Sequence, residues 1–126
     1  FLFDESYVLY SKIRPYLRKC ALATFRGLCS ADMYPVRPKG TQVTREFIWG
    51  LLLSDNFDQY VMTLPDRANI PKLNRSELSA FQFRLPSPVL QAKYSSIVRS
   101  TMAFKRRQQE FLRVASSLSP AFSFFN

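Results

Sequence analysis

The stretch YVLYSKIRPYLRKCAL, Tyr7 to Leu22, alternates like a strand yet carries four cations, Lys12, Arg14, Arg18 and Lys19, and no acid. In an extended chain successive side chains point to opposite faces. Tyr7, Leu9, Ser11 and Ile13 then share one face, suited to a core, and Val8, Tyr10, Lys12 and Arg14 share the other. The second face is half aromatic and half basic. A solvated strand face and a surface for a polyanion both fit it, so the remainder of the chain must discriminate.

Bulk charge favours the polyanion. Eighteen Lys and Arg stand against nine Asp and Glu, with a net charge of +9 and a pI near 10.0. Residues 1–45 hold eight cations and three acids, 84–126 hold seven and one, and the middle, 46–83, holds three and five. Two basic segments around an acidic middle suit nucleic acid first and an anionic membrane second. No apolar run approaches the roughly 18 residues that span a bilayer, and no signal peptide is visible. The expectation is a cytoplasmic protein with no membrane partner. At 126 residues and 47% hydrophobic composition, the chain has one domain's worth of material for a core.

Composition also removes several chemistries. Without histidine there is no Ser-His-Asp or Cys-His catalysis and no histidine metal ligand. Gly27, Gly40 and Gly50 are the only glycines, too few and too far apart for a phosphate-cradling loop. No lysine follows a carboxylate two positions earlier, so the acid-x-Lys element of many metal-dependent nucleases is missing. Cys20 and Cys29 match no zinc or redox spacing and read as small buried apolar residues, reduced and metal-free. The chain reads as non-catalytic, with no metal or cofactor of its own.

Ala21–Phe25 reads as a second short strand ended by Gly27, and Met33–Arg37 as a third, closed by the turn Pro38-Lys39-Gly40. Thr44 caps an expected helix over about 45–53, with Phe47, Ile48, Leu51 and Leu52 inward. Ser54 caps another, with Phe57, Tyr60, Val61 and Leu64 inward. Pro65 to Lys72 is a proline-bracketed polar loop, and Asn74 with Glu77 has the form of a capping box. Phe81, Phe83 and Leu85 alternate with Gln82 and Arg84 in one more expected strand, stopped by Pro86 and Pro88.

The last segment changes character. Leu90, Tyr94, Ile97, Thr101, Phe104, Gln108, Phe111, Ala115 and Leu118 are spaced alternately four and three apart, and no Pro or Gly interrupts 89–119. A 3.5-residue repeat held over four heptads is the seam of a coiled coil. A helix packed on its own domain is the plainer reading, but a length of roughly 45 Å exceeds what about 85 residues can cover. The expected class is therefore α+β: a small mixed domain of short strands and helices followed by one long C-terminal coiled-coil-type helix. Its divisions are the small domain over 1–88, the helix over 89–119 and a tail over 120–126.

The order of these pieces resembles the specificity subunits of type I restriction–modification systems. Leu9-Tyr10-Ser11-Lys12-Ile13-Arg14-Pro15-Tyr16-Leu17-Arg18-Lys19 is similar to that family's "lysKiRPYlnK" strand. Ile70-Pro71-Lys72-Leu73-Asn74, then Leu78, then Phe83-Arg84-Leu85-Pro86-Ser87-Pro88-Val89-Leu90-Gln91 resembles its "i-x-x-l…l…i-x-l-P-x-P-x-x-x-Q" passage. That passage leads from a target recognition domain into a long spacer helix. The chain departs from the family pattern in two places. Only Phe1–Ser6 precede the first motif, where the family has a further stretch, and the acids usual before the glutamine are missing. The first departure points to part of a recognition domain.

The resemblance implies sequence-specific recognition of double-stranded DNA, with one half of a bipartite target read by each recognition domain. Two spacer helices pack antiparallel, joining a second recognition domain or a second copy. Modification (methyltransferase) subunits and a restriction subunit are the implied protein partners. S-adenosylmethionine, ATP and Mg are expected on those partners and none on this chain. The candidate DNA contacts are Lys12, Arg14, Tyr16, Arg18, Lys19, Lys39, Arg67, Asn69, Lys72, Asn74 and Arg75. Those of the opening stretch would track phosphate. The loop from Asp66 to Arg75 would read bases, since Arg suits guanine and Asn adenine. Two other readings fit the pattern: the recognition segment of a fused restriction–methylation enzyme, and a basic coiled-coil protein that binds nucleic acid without sequence preference.

Overall fold

The opening stretch is a strand for only four residues in the computed structural model, which describes residues 1–65 and 72–118. In chain order the strands are β1 (Leu2–Phe3), β2 (Val8–Ser11), β3 (Cys20–Leu22), β4 (Gly27–Leu28) and β5 (Met33–Val36). The helices are α1 (Arg45–Leu52), α2 (Asp55–Met62), α3 (Arg75–Ala80) and α4 (Pro88–Ser117), and a 3₁₀ turn spans Pro15–Leu17. β2 is the centre of an antiparallel sheet ordered β3-β2-β5, and β1 pairs antiparallel with β4 in a second, two-stranded sheet. This is the α+β class with a long last helix that the sequence indicates.

The faces of β2 are the reverse of the expected ones. Val8 and Tyr10 are 0% and 1% exposed, whereas Leu9 and Ser11 are only half-buried. The Tyr10 ring meets Phe57 of α2 edge-on at 5.7 Å, and α1 packs against both β2 and β3. Lys12 and Arg14 misled the alternation because the strand has already ended. Lys12 N donates to Asp32 O at 3.0 Å as the chain turns, and Arg14 has φ 50°, in the left-handed region.

Helix starts follow the side chains that can cap them. The Phe47 amide donates to Thr44 Oγ1 at 3.1 Å and the Phe57 amide to Ser54 Oγ at 3.2 Å. Asn74 and Glu77 form the full capping box, with the Glu77 amide donating to Asn74 Oδ1 at 2.8 Å. The expected strand at Phe81–Leu85 does not form. This segment pairs with no strand among the described residues, and its alternation serves ring packing instead. Phe81 lies 5.0 Å from Phe57 and 5.1 Å from Tyr60, and Phe83 lies 5.8 Å from Phe47. Gly27 does not simply end β3 either; it pairs with Phe3 in β4, where a Cβ would meet the Phe3 ring at 3.0 Å.

Two compact units follow from the contacts, Phe1–Ser95 and the chain from Ser96 onward. The first unit includes the opening turns of α4. Gln91 is 2% exposed and fully engaged: its Nε2 donates to Gln42 O (2.7 Å) and Pro86 O (3.0 Å), and its Oε1 accepts from the Thr44 amide (2.9 Å). Ser95 Oγ donates to Thr44 Oγ1 at 3.0 Å. Tyr94 lies so close over Gly50 that a Cβ there would sit 2.2 Å from its hydroxyl oxygen. Among the described residues the second unit is the remainder of α4 and Leu118.

One core group is unsatisfied. The Tyr10 hydroxyl is buried and has no hydrogen-bond partner among the described residues. A buried donor left unpaired costs about 1–3 kcal/mol. Tyr10→Phe keeps the ring contact with Phe57 and removes that penalty. It is expected to leave stability unchanged or raise it by about 1 kcal/mol in urea denaturation. A loss of stability would mean that the hydroxyl is bonded.

Candidate nucleic-acid interface

The backbone joins two stretches that lie far apart in the sequence. Ile13 and Lys72 form an isolated antiparallel bridge, and the Leu73 amide donates to Lys12 O at 2.8 Å. The backbone of Lys12 and Ile13 therefore lies beside that of Lys72 and Leu73. Tyr34 of β5 ties this junction together. Its hydroxyl donates to Leu73 O at 3.1 Å, and Lys12 Nζ lies 5.3 Å from its ring centroid. Burial raises the Tyr34 hydroxyl pKa, and the nearby Arg75 charge opposes that rise. Sequence reasoning missed Tyr34, because nothing in a four-residue strand marks one tyrosine as the meeting point of two distant basic segments.

The other candidates fall in different surroundings. Tyr16 (60% exposed) and the exposed Lys19 flank Arg18 on the 3₁₀ turn and just after it. Arg18 is committed to acids: its guanidinium reaches Asp55 at 3.1 Å and Asp58 at 2.8 Å, both in the first turn of α2. Lys39 is exposed in the turn before Gly40, whose φ of +73° suits glycine. Asn74 Oδ1 accepts from both Glu77 N and Ser76 Oγ at 2.8 Å, so a bidentate pairing with adenine would break the cap of α3. Arg67 and Asn69 lie outside the described residues.

The seam of α4 divides by position. Tyr94 is half-buried over Gly50. Leu90, Ile97, Phe104, Phe111 and Leu118 are 58%, 65%, 60%, 71% and 69% exposed, an apolar row at seven-residue spacing. Thr101, Gln108 and Ala115 are exposed between them, and the Thr101 hydroxyl donates to Ile97 O of its own helix at 2.9 Å. Among the described residues no three His, Cys, Asp or Glu side chains group as a metal site would need, and no helix is long and apolar enough to cross a membrane.

A small α+β domain with a basic two-segment junction, continued by a long helix with an exposed apolar stripe, is the architecture. No protein-family model matches the chain. It is 35% identical over 102 residues, 81% of its length, to the specificity subunit of the type I restriction enzyme EcoDI from Escherichia coli. The chain belongs to the family of type I restriction enzyme specificity subunits, as a domain that spans 22% of that relative's length.

Cys20 and Cys29 are free and only partly buried, less enclosed than their apolar reading suggests. Burial nonetheless pushes the Cys20 thiol up to about 12 and raises the Tyr10 hydroxyl well above its ordinary value. Both groups hold their protons more tightly folded than unfolded. Their contribution to stability is complete below the ordinary thiol value of 9.0 and is lost as pH rises from there toward 12. Urea midpoints are expected to be flat between about pH 7 and pH 8 and to fall by about pH 11. At about pH 8, Cys20 should resist iodoacetamide in the folded chain, and rapid alkylation by mass spectrometry would contradict its burial.

Proposed function

We propose that this chain is a DNA-recognition domain of a type I restriction–modification complex, reading one half of a bipartite target and positioning the methyltransferase subunit without chemistry of its own. The observation that carries this reading is the 35% identity to a type I specificity subunit over 81% of the chain. Support also comes from the bridge that joins the Lys12–Arg14 stretch to Lys72, with Lys12 and Arg75 close to Tyr34. Lysine and arginine there would meet phosphate and hold the register. The segment that includes Arg67 and Asn69 would supply base contacts. S-adenosylmethionine, ATP and Mg belong, in this reading, to partner subunits.

Helix α4 would act as the spacer. Its 30 residues extend about 45 Å, roughly thirteen base pairs at 3.4 Å each, a little over one turn of duplex. That length suits two half-sites separated along one DNA face. Mapping methylated adenines in cells that express the full protein with its cognate modification subunit tests the proposal. A single split motif is expected. Methylation that is absent, or that ignores sequence, would overturn it.

The exposed stripe would be the surface that pairs with a second helix, from another recognition domain or a second copy. Truncating a buried aromatic typically costs about 3–5 kcal/mol. Phe104→Ala with Phe111→Ala is therefore expected to abolish pairing in light scattering and in pull-down of the modification subunit. Because both rings are exposed in the single chain, its own melting temperature should not move. Unchanged assembly in the double variant would remove the stripe from the interface.

A further inference from the structure

Three described residues have positive φ, and two of them are arginines: Arg14 at 50° and Arg18 at 48°. They bracket the 3₁₀ turn Pro15–Leu17. An L side chain in this region crowds its own backbone, so glycine or asparagine would be the easier residue at both places. An outlier that persists needs a compensating contact or a task. Arg18 has the contact. Its guanidinium grips Asp55 and Asp58, acids that the N-terminal end of α2 already favours. Arg18 N also donates to Pro15 O at 3.0 Å, closing the turn.

Arg14 has only the backbone part of this compensation, its carbonyl accepting from the Leu17 amide at 2.9 Å. It is exposed, and no hydrogen bond, ion pair or ring contact joins its side chain to any described residue. Its neighbour Lys12 lies over the Tyr34 ring, and Tyr16 stands 60% exposed on the same turn. A strained backbone therefore holds out one uncommitted guanidinium, at the bridge that brings Lys72 alongside.

We propose that Arg18 is a positioning residue: clamped by Asp55 and Asp58, it fixes the left-handed, 3₁₀, left-handed turn so that Arg14 presents its guanidinium to a nucleic-acid phosphate. The inference rests on the DNA-binding reading above and goes beyond it by taking Arg18 out of the contact surface. It also gives two acids a part in binding a polyanion. Pre-set geometry lowers the ordering cost of the contact, which is the advantage that would keep arginine where glycine fits better.

The test uses the full chain and a mixed-sequence DNA duplex, with binding followed by fluorescence anisotropy across a KCl series. Arg14→Gly suits the backbone, so its unfolding midpoint should equal or exceed that of the wild type. Its affinity should fall roughly three- to tenfold, with the slope of log K against log salt reduced by about 0.9, the value for one phosphate contact. Asp55→Asn with Asp58→Asn raises the net charge by two, which by itself tightens DNA binding. The proposal expects the opposite: a loss of the same size and slope, not additive with Arg14→Gly. Arg18→Gly, which removes the clamp from the other side and also suits its φ, should reproduce that loss. In each clamp variant the amide–Hα coupling of Arg14 should move away from its left-handed value in NMR spectra. A wild type that binds, with tighter binding by the double Asn variant or wild-type binding by Arg14→Gly, overturns this inference alone. A wild type that shows no salt-dependent binding overturns the DNA-binding reading and this one with it.

Discussion

A single buried amide sets where the long helix begins. Gln91 has every polar atom of its side chain occupied, and all three of its partners are backbone groups, at Gln42, Thr44 and Pro86. Each would cost about 1–3 kcal/mol if left unpaired. The satisfied set joins the start of α4 to the start of α1, because Thr44 is also the cap of that helix. Helix α1 in turn covers β2 and β3, and its Trp49 indole donates to Cys20 O at 3.2 Å. Sheet, first helix and last helix are thus located by one short chain of hydrogen bonds. A slip of one residue in the register of α4 would break it.

Local signals carried well from sequence to structure. Thr44, Ser54 and Asn74 cap three helices because a side-chain oxygen within three residues of an unpaired amide needs no tertiary information. The uninterrupted run after Pro88 gave α4 almost to the residue. Signals that depend on what lies across the fold did not carry. The phase of β2 follows from which face α1 and α2 cover, and a tyrosine is at home in water or under Phe57. Phe81–Leu85 alternates as a strand does, yet its rings had a ready aromatic surface on the helices and its backbone had no neighbour among the described strands. The site followed the same division. The basic residues themselves were evident from the sequence, but their grouping depends on the bridge from Ile13 to Lys72 and on Tyr34, which no local pattern announces.

The net charge of +9 overstates what the surface offers a polyanion. Arg18 is paired with acids, and Arg45 donates to the carbonyls of Glu5 and Ala23. Lys12 and Arg37 each lie 5.3 Å from a tyrosine ring centroid. Arg18 and Arg45 are thus committed within the fold, whereas Lys12 and Arg37 lie over rings and keep their charge. Charge counted from a sequence sets an upper bound, and geometry decides how much of it faces outward.

The close approach of Tyr94 to Gly50 bears on how this fold could be recombined. Position 50 has no room for a side chain while Tyr94 stands over it, so the two positions must change together. Gln91 and Ser95 bind the same first helix from neighbouring positions on α4. A helix transplanted from another protein and joined at Pro88 would therefore need the groups at 91, 94 and 95 to match the host at 42, 44 and 50. Chimeras joined after Ser95 avoid that requirement, because the whole lock stays with its own domain. The natural seam for exchanging parts lies eight residues inside the helix, past the point where the secondary structure changes.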